Sequence, residues 1–265
     1  MKPKVLVLQA HGSNRDFDVI EALTLAGANA FGIPLFELRM NKTLLSDFQG
    51  LVIPGGFSYA DALGAGKLLA LDLASYFAAE ISTFVEAGKP VIGICNGFQA
   101  LVKSGILPGA SSFQNAKQTR GDGSTLTFNA KGHFECRWVT IKPVSQSCIW
   151  TKGLDELIEC PVAHGEGNFQ TSGFFPPSSI IENDQIALTY VCADGSPANG
   201  EYPFNPNGST LDIAGVCNSQ GNVLGLMPHP ENHIHPYQHP RWTRGINHHS
   251  GLPLFRNGVK YAADT

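Results

Sequence analysis

The chain has 265 residues, enough to bury one sizeable core. Its 43% hydrophobic and 15% charged content excludes an intrinsically disordered chain. The formal net charge of −4 argues against a general nucleic-acid surface, and no apolar run reaches the ~20 residues of a membrane span. Met1-Lys2-Pro3-Lys4 leads directly into Val5-Leu6-Val7-Leu8, without the longer apolar stretch and cleavage site of a signal peptide, so a cytoplasmic location is expected. Cys95, Cys136, Cys148, Cys160, Cys192 and Cys217 form no CxxC pair, unlike a disulfide framework or a zinc knuckle.

The first half reads as alternating strands and helices. Val5 to Leu8 suits a buried strand. Ser13 and Asn14 offer helix caps, and Asp16 to Ala28 carries a helical pattern with Val19, Ile20, Leu23 and Ala26 inward and Gly27 as a stop. Further strands are expected at Ala30 to Ile33, Leu51 to Ile53 and Val91 to Ile94. One long helix is expected over Leu68 to Ala87, and another begins near Phe98. This rhythm predicts a mainly parallel sheet covered on both faces. The second half is more β-like, with strands at Trp138 to Ile141, Ile186 to Val191, Ile213 to Cys217 and Val223 to Leu226 between Gly, Asn and Pro clusters. The whole chain, 1–265, is expected to be one domain, with residues 232–265 an irregular tail packed on it.

Three segments carry chemistry. Gly93-Ile94-Cys95-Asn96-Gly97 follows a strand and precedes a helix, as in a cysteine version of the nucleophile elbow. Such a turn lifts the thiol above the sheet edge, aims a helix N-terminus at it and turns the Asn96 N–H toward a developing oxyanion. Taken alone, the motif fits a buried structural cysteine equally well. Met227-Pro228-His229-Pro230-Glu231 follows the strand Val223 to Leu226. Pro230 biases His229 toward extended backbone, and in an extended segment residues two apart face the same side. His229 and Glu231 are therefore expected to face Cys95 as base and orienter. Alone, that segment reads as a solvated loop. Pro54-Gly55-Gly56-Phe57-Ser58-Tyr59 ends another strand and offers a second oxyanion donor at Gly56, although any Pro-Gly-Gly can be a plain turn.

Together these segments resemble the class I, triad glutamine amidotransferases. With Phe98-Gln99, Ala163-His164-Gly165-Glu166-Gly167 and Tyr202-Pro203-Phe204-Asn205-Pro206-Asn207-Gly208-Ser209, the chain from Val5 to about Tyr261 is similar to the glutaminase subunit or domain of phosphoribosylformylglycinamidine synthase. The resemblance implies a flavodoxin-like α/β fold and a triad on Cys95, His229 and Glu231. It also implies that Phe57, Gln99, His164, Gly165, Glu166 and Gly167 lie around bound glutamine. Ammonia would pass to a large synthetase subunit, accompanied by a small accessory subunit. That partner, not this chain, would use ATP and magnesium to convert formylglycinamide ribonucleotide to formylglycinamidine ribonucleotide. Met1 and the chain length fit the separate-subunit form. Ala60 stands where the family often has Gly, Gly64 where it often has Arg, and Arg15 where it has Cys.

Asp61 to Leu68 superficially resembles a P-loop, but lacks its first Gly and the Ser/Thr after Lys67, and reads as a helix-start loop. His229, His233, His235, His239, His248 and His249 cluster near the C-terminus, yet no cysteine or carboxylate completes a familiar metal spacing, and no metal is expected. Phe174, Phe175 and Trp242 are candidate docking aromatics that fit core or tail packing better. The competing readings are a glutaminase serving another synthetase, a non-amidotransferase cysteine hydrolase of the same fold, and a metal-binding protein.

Overall fold

The computed structural model of the chain describes residues 1–109, 123–171, 176–245 and 249–265. Phe174, Phe175 and His248 lie outside these residues. The first half runs β1 (Lys4–Gln9), α1 (Asp16–Leu25), β2 (Asn29–Pro34), α2 (Leu35–Met40), β3 (Gly50–Ile53), α3 (Lys67–Ser75), α4 (Ala78–Glu86), β4 (Val91–Ile94) and α5 (Asn96–Lys103). The second half runs β5 (Ser124–Thr127), β6 (Glu135–Pro143), β7 (Ile158–His164), β8 (Asn168–Thr171), α6 (Pro177–Glu182), β9 (Ile186–Val191), β10 (Ile213–Cys217), β11 (Val223–Leu226) and α7 (Leu252–Asp264).

Among the described residues one nine-stranded sheet has the order β2-β1-β3-β4-β11-β10-β9-β6-β7, and β5 and β8 form a separate ribbon. Pairings from β2 through β11 are parallel, and those from β11 to β7 are antiparallel. The apolar runs explain the parallel half. β3, β4 and β11 are buried at every position, as strands covered on both faces must be. The antiparallel half curls back toward the centre of the sheet, so that the His229 N–H, just after β11, donates to the Pro161 carbonyl of β7 at 2.8 Å.

Three expectations are corrected. The long helix is broken into α3 and α4, which meet at 80°. A straight 20-residue helix runs ~30 Å, far beyond the four-residue strands it must cover, and the bend lets Leu73 and Ile81 both reach the core. The N-cap of α1 is Arg15, with no side-chain cap from Ser13 or Asn14. Residues 232–265 are not all irregular: α7 buries Leu254, Phe255, Val259 and Ala262 and packs against α1. Gly258 of α7 lies against the Trp150 ring. The residues before α7 cover the free edge of β7, where the Glu159 N–H donates to His249 O at 2.8 Å and His233 Nδ1 bonds Glu159 O.

No single described helix is long and apolar enough to cross a membrane.

Candidate active site

β3, β4 and β11 are parallel neighbours, with Ile53 opposite Gly93 and Ile94 opposite Leu226. The loops that leave their carboxyl ends therefore converge, where ligands of open α/β sheets sit. They are the three segments singled out in the sequence.

Cys95 sits between β4 and α5 at φ 50° and ψ −103°, a left-handed backbone that a non-glycine residue adopts only under constraint. The constraint is visible at Gly97, where a Cβ would fall 1.9 Å from the Ile53 carbonyl oxygen. Strand and helix approach so closely that the chain must turn sharply between them. The Cys95 thiol is nearly buried and donates to the Ala163 carbonyl of β7 at 3.6 Å.

His229 Nδ1 lies 2.7 Å from Glu231 Oε1, and both residues are buried. The His229 backbone, at ψ 79°, is not a strand, and Pro230 to Asn232 form a 3-10 turn. Extended spacing is thus not what joins them: the turn folds Glu231 back onto the ring. Burial opposes the charged imidazolium, but the Glu231 carboxylate and then the Cys95 sulfur outweigh it and push the His229 pKa up to about 10. The His229 Nε2 is buried and has no hydrogen-bond partner among the described residues. The other nearby thiol, Cys160, is pushed well up by burial and by the Glu231 and Glu159 carboxylates, so it stays protonated.

In the β3 loop, Gly56 bridges Ser13. The flanking bonds run from Asn14 N–H to Gly55 O at 3.4 Å and from Phe57 N–H to Gly12 O at 3.0 Å. The Phe57 N–H is therefore occupied, whereas no described residue accepts from the Gly56 N–H or the Asn96 N–H. Beyond it, Tyr59, Ala60, Asp61 and Leu63 all have positive φ. Ala60, at φ 55°, explains why glycine suits that position, and Gly64 at φ 112° has a backbone that an arginine would rarely adopt. The cation near Gly64 is Lys103, whose Nζ is 3.9 Å from where a Cβ would stand. It reaches Ala65 O at 2.6 Å and Glu166 Oε2 at 3.0 Å.

The carboxamide of Gln99 is spent internally, donating to Glu166 O at 2.7 Å and accepting from Asn96 Nδ2 at 3.0 Å. Asn96 Nδ2 also donates to Asp61 Oδ1, and Asn96 Oδ1 accepts from the Ser58 N–H. Glu166 Oε1 accepts from the Ala65 N–H at 3.1 Å. These residues tie α5, the β3 loop and the β7–β8 turn together around Cys95. His164 is buried, with Nδ1 3.1 Å from Asn129 Oδ1. Burial, then the neighbouring charge of His229, pushes its pKa down to about 3. Gly167 leaves room for its ring, since a Cβ there would lie 2.4 Å from Cε1. The Asn-Pro-Asn-Gly-Ser segment buttresses this region: Asn207 Nδ2 donates to Tyr190 Oη at 3.1 Å, and Ser209 Oγ accepts from the Phe169 N–H at 3.0 Å. Phe57 and Trp242 are exposed.

Asn129, Lys103 and Tyr190 were not singled out in the sequence, because each lies in no motif and joins the site only through the tertiary fold. The His-rich region serves separate contacts. His233 and His239 pack on Trp138, while His235 pairs with Glu21 at 2.8 Å and stacks on Tyr237. Among the described residues no group of three or more His, Cys, Asp or Glu side chains is arranged to hold a metal ion.

Residues 2–262 match the CobB/CobQ-like glutamine amidotransferase domain. The phosphoribosylformylglycinamidine synthase subunit PurQ of Treponema denticola is 56% identical over 241 residues, 88% of this chain and 89% of its own. This chain belongs to the PurQ family. The PurQ of Dehalococcoides mccartyi is 41% identical over 265 residues, 98% of both chains. A chain of the PurLQS structure from Thermotoga maritima superposes with a TM-score of 0.73 at 30% identity, covering 98% of this chain and 99% of that one. A glutamine amidotransferase from Thermotoga maritima, at 14% identity and a TM-score of 0.55, covers all of both chains and shares the fold. The flavodoxin-like amidotransferase architecture expected from the sequence is thus the one observed.

Proposed function

We propose that this chain hydrolyses glutamine at Cys95 and delivers the ammonia to the synthetase that makes formylglycinamidine ribonucleotide in purine biosynthesis. One observation carries the reading. A strained elbow cysteine and a buried His229–Glu231 pair, its Nε2 otherwise unpartnered, converge at one sheet edge.

The steps follow from the chemistry of these groups. The proton of Cys95 rests on His229 before the reaction, in an ion pair that Glu231 stabilises, and the sulfur attacks the carboxamide carbon. A C–S bond forms and the carbonyl electrons move to oxygen, where the Gly56 and Asn96 N–H groups receive them. The His229 imidazolium, stabilised by Glu231, protonates the amide nitrogen. The C–N bond breaks, ammonia leaves and a thioester remains. Water then adds to the thioester while His229 takes its proton, and collapse releases glutamate and the thiol. The sum is glutamine plus water to glutamate plus ammonia.

Phe57, His164, Gly165 and Gly167 are placed around the substrate. Gln99 and Glu166 shape the pocket from behind, because their own polar groups are already engaged. The partner is a large synthetase subunit with a small accessory subunit. ATP and magnesium act there, and the complex works in the cytoplasm. The PurLQS structure of Thermotoga maritima supports the partnership with a larger synthetase subunit. So do the apolar side chains exposed in the β3 loop and beside Gly165, namely Phe57, Leu63 and Phe134.

The test mixes the chain or its Cys95→Ala variant with the synthetase, ATP and formylglycinamide ribonucleotide, and follows glutamate release. Turnover that needs the partner and vanishes with Cys95→Ala, while free ammonia still supports the synthetase step, is expected. Glutamine turnover by Cys95→Ala would overturn the assignment.

A further inference from the structure

His164 holds a buried polar atom that the steps above leave unexplained. Its tautomer is set by Asn129. The Nδ2 of that residue donates to two carbonyls, His164 O at 2.8 Å and His133 O at 3.0 Å, so its Oδ1 faces the imidazole as an acceptor. The same Oδ1 takes the Gly167 N–H at 3.0 Å. Nδ1 of His164 must therefore carry the ring proton, and Nε2 carries a lone pair. That Nε2 is buried and has no hydrogen-bond partner among the described residues. A buried unsatisfied acceptor is uncommon and calls for an explanation.

Its position narrows that explanation. His164 closes the strand whose preceding carbonyl, Ala163 O, receives the Cys95 thiol at 3.6 Å. The same strand accepts the His229 N–H at its Pro161 carbonyl, 2.8 Å, and the charge of His229 holds the His164 pKa down. Two residues further on, the Glu166 carbonyl holds Gln99. The site thus offers N–H groups for the carbonyl oxygen of a carboxamide, and a proton donor at His229. The carboxamide –NH2 has two hydrogens of its own, and it needs an acceptor.

We infer that Nε2 of His164 accepts a hydrogen bond from the carboxamide nitrogen of glutamine and thereby makes the site reject glutamate. The product carboxylate has no hydrogen to give, and one of its oxygens would press lone pair against lone pair in a buried site. A site built to hydrogen-bond one substrate group discriminates strongly against an analogue that lacks it. The low basicity of His164 keeps the lone pair bare at neutral pH and prevents it from trapping nascent ammonia as ammonium. The consequence is prompt release of glutamate after each turnover.

This inference rests on the glutaminase reading, and the experiment separates the two. The complex with the synthetase is assayed with the natural chain, Cys95→Ala, His164→Ala and His164→Gln, measuring kcat, KM for glutamine and Ki for glutamate. A glutamine side chain can present either an N–H or a carbonyl, so His164→Gln tolerates both ligands. Both His164 variants are expected to lower the ratio of glutamate Ki to glutamine KM by about tenfold or more, with kcat changing less. Loss of turnover in Cys95→Ala, together with an unchanged ratio in the His164 variants, overturns this inference alone. Retained turnover in Cys95→Ala overturns the glutaminase reading. If the His164 variants do not fold, the Cys95→Ala chain with 15N-labelled histidine is titrated in the complex. A His164 Nε2 resonance that moves with glutamine and not with glutamate supports the assignment. One that stays fixed with glutamine overturns it.

Discussion

The backbone of Gly55 lies against the imidazole of His229: a Cβ at Gly55 would stand 2.7 Å from Cε1. The β3 loop and the proposed catalytic base are thus in contact. Gly55→Ala should push the ring away from Cys95 while the chain stays folded. A displacement of about 1 Å from reacting geometry typically lowers rate by roughly a hundredfold. We expect that scale of loss in kcat for glutamate release, with an unchanged circular dichroism spectrum.

Glu231→Gln removes the main opposition to burial at His229. With the natural pair the imidazolium persists to about pH 10, so the alkaline limb of activity attributable to His229 lies high. Losing the carboxylate lowers the His229 pKa, and that limb should move to lower pH. A pH–rate profile of kcat/KM, compared with the natural chain, reads the shift directly. An alkaline limb that stays in place would show that Glu231 does not govern the proton on His229.

Gly97→Ala tests the strand-to-helix approach. The new methyl would sit 1.9 Å from a backbone oxygen of Ile53, which cannot rotate aside. Overpacking of this kind costs roughly 3 kcal/mol. The urea midpoint should fall accordingly, and the elbow holding Cys95 should loosen with it.

His164 should make the protein acid-sensitive. Its folded pKa, about 3, lies below the unfolded value of about 6.5. Above pH 6.5 it is neutral in both states and has no effect. As pH falls below that, the unfolded chain takes up a proton that the folded chain refuses. Stability then drops by about 1.4 kcal/mol per pH unit until pH approaches 3. His164→Gln should lack this component, so the stability difference between the two chains, from urea unfolding at pH 6.5 and 4.5, should change in favour of the variant on acidification.

Several features were legible before the fold was known. The strands of the parallel half show as short apolar runs, because strands covered on both faces exclude polar residues. β9, β10 and β11 have the bounds that their sequences indicate. The missed β7 contains Pro161, which argues against an interior strand, and the strand is indeed an edge. The missed α7 begins Leu252-Pro253 and contains Gly258. Proline is at home in a first helical turn, and the glycine makes room for Trp150, 108 residues earlier.

By itself the sequence determined the local backbone: a cysteine between a strand and a helix flanked by glycines, a His-Pro-Glu segment after a strand, and a Gly-Gly loop after another. These are written in neighbouring residues, because glycine and proline act on φ and ψ within one or two positions. Only the tertiary structure decided which of these groups meet. It set β3, β4 and β11 side by side, folded Glu231 onto His229 through a 3-10 turn, and engaged Gln99 with Glu166. It also placed Asn129 where it dictates the tautomer of a histidine 35 residues away. Such meetings depend on strand adjacency and close packing, which the whole core settles and no local run of residues records.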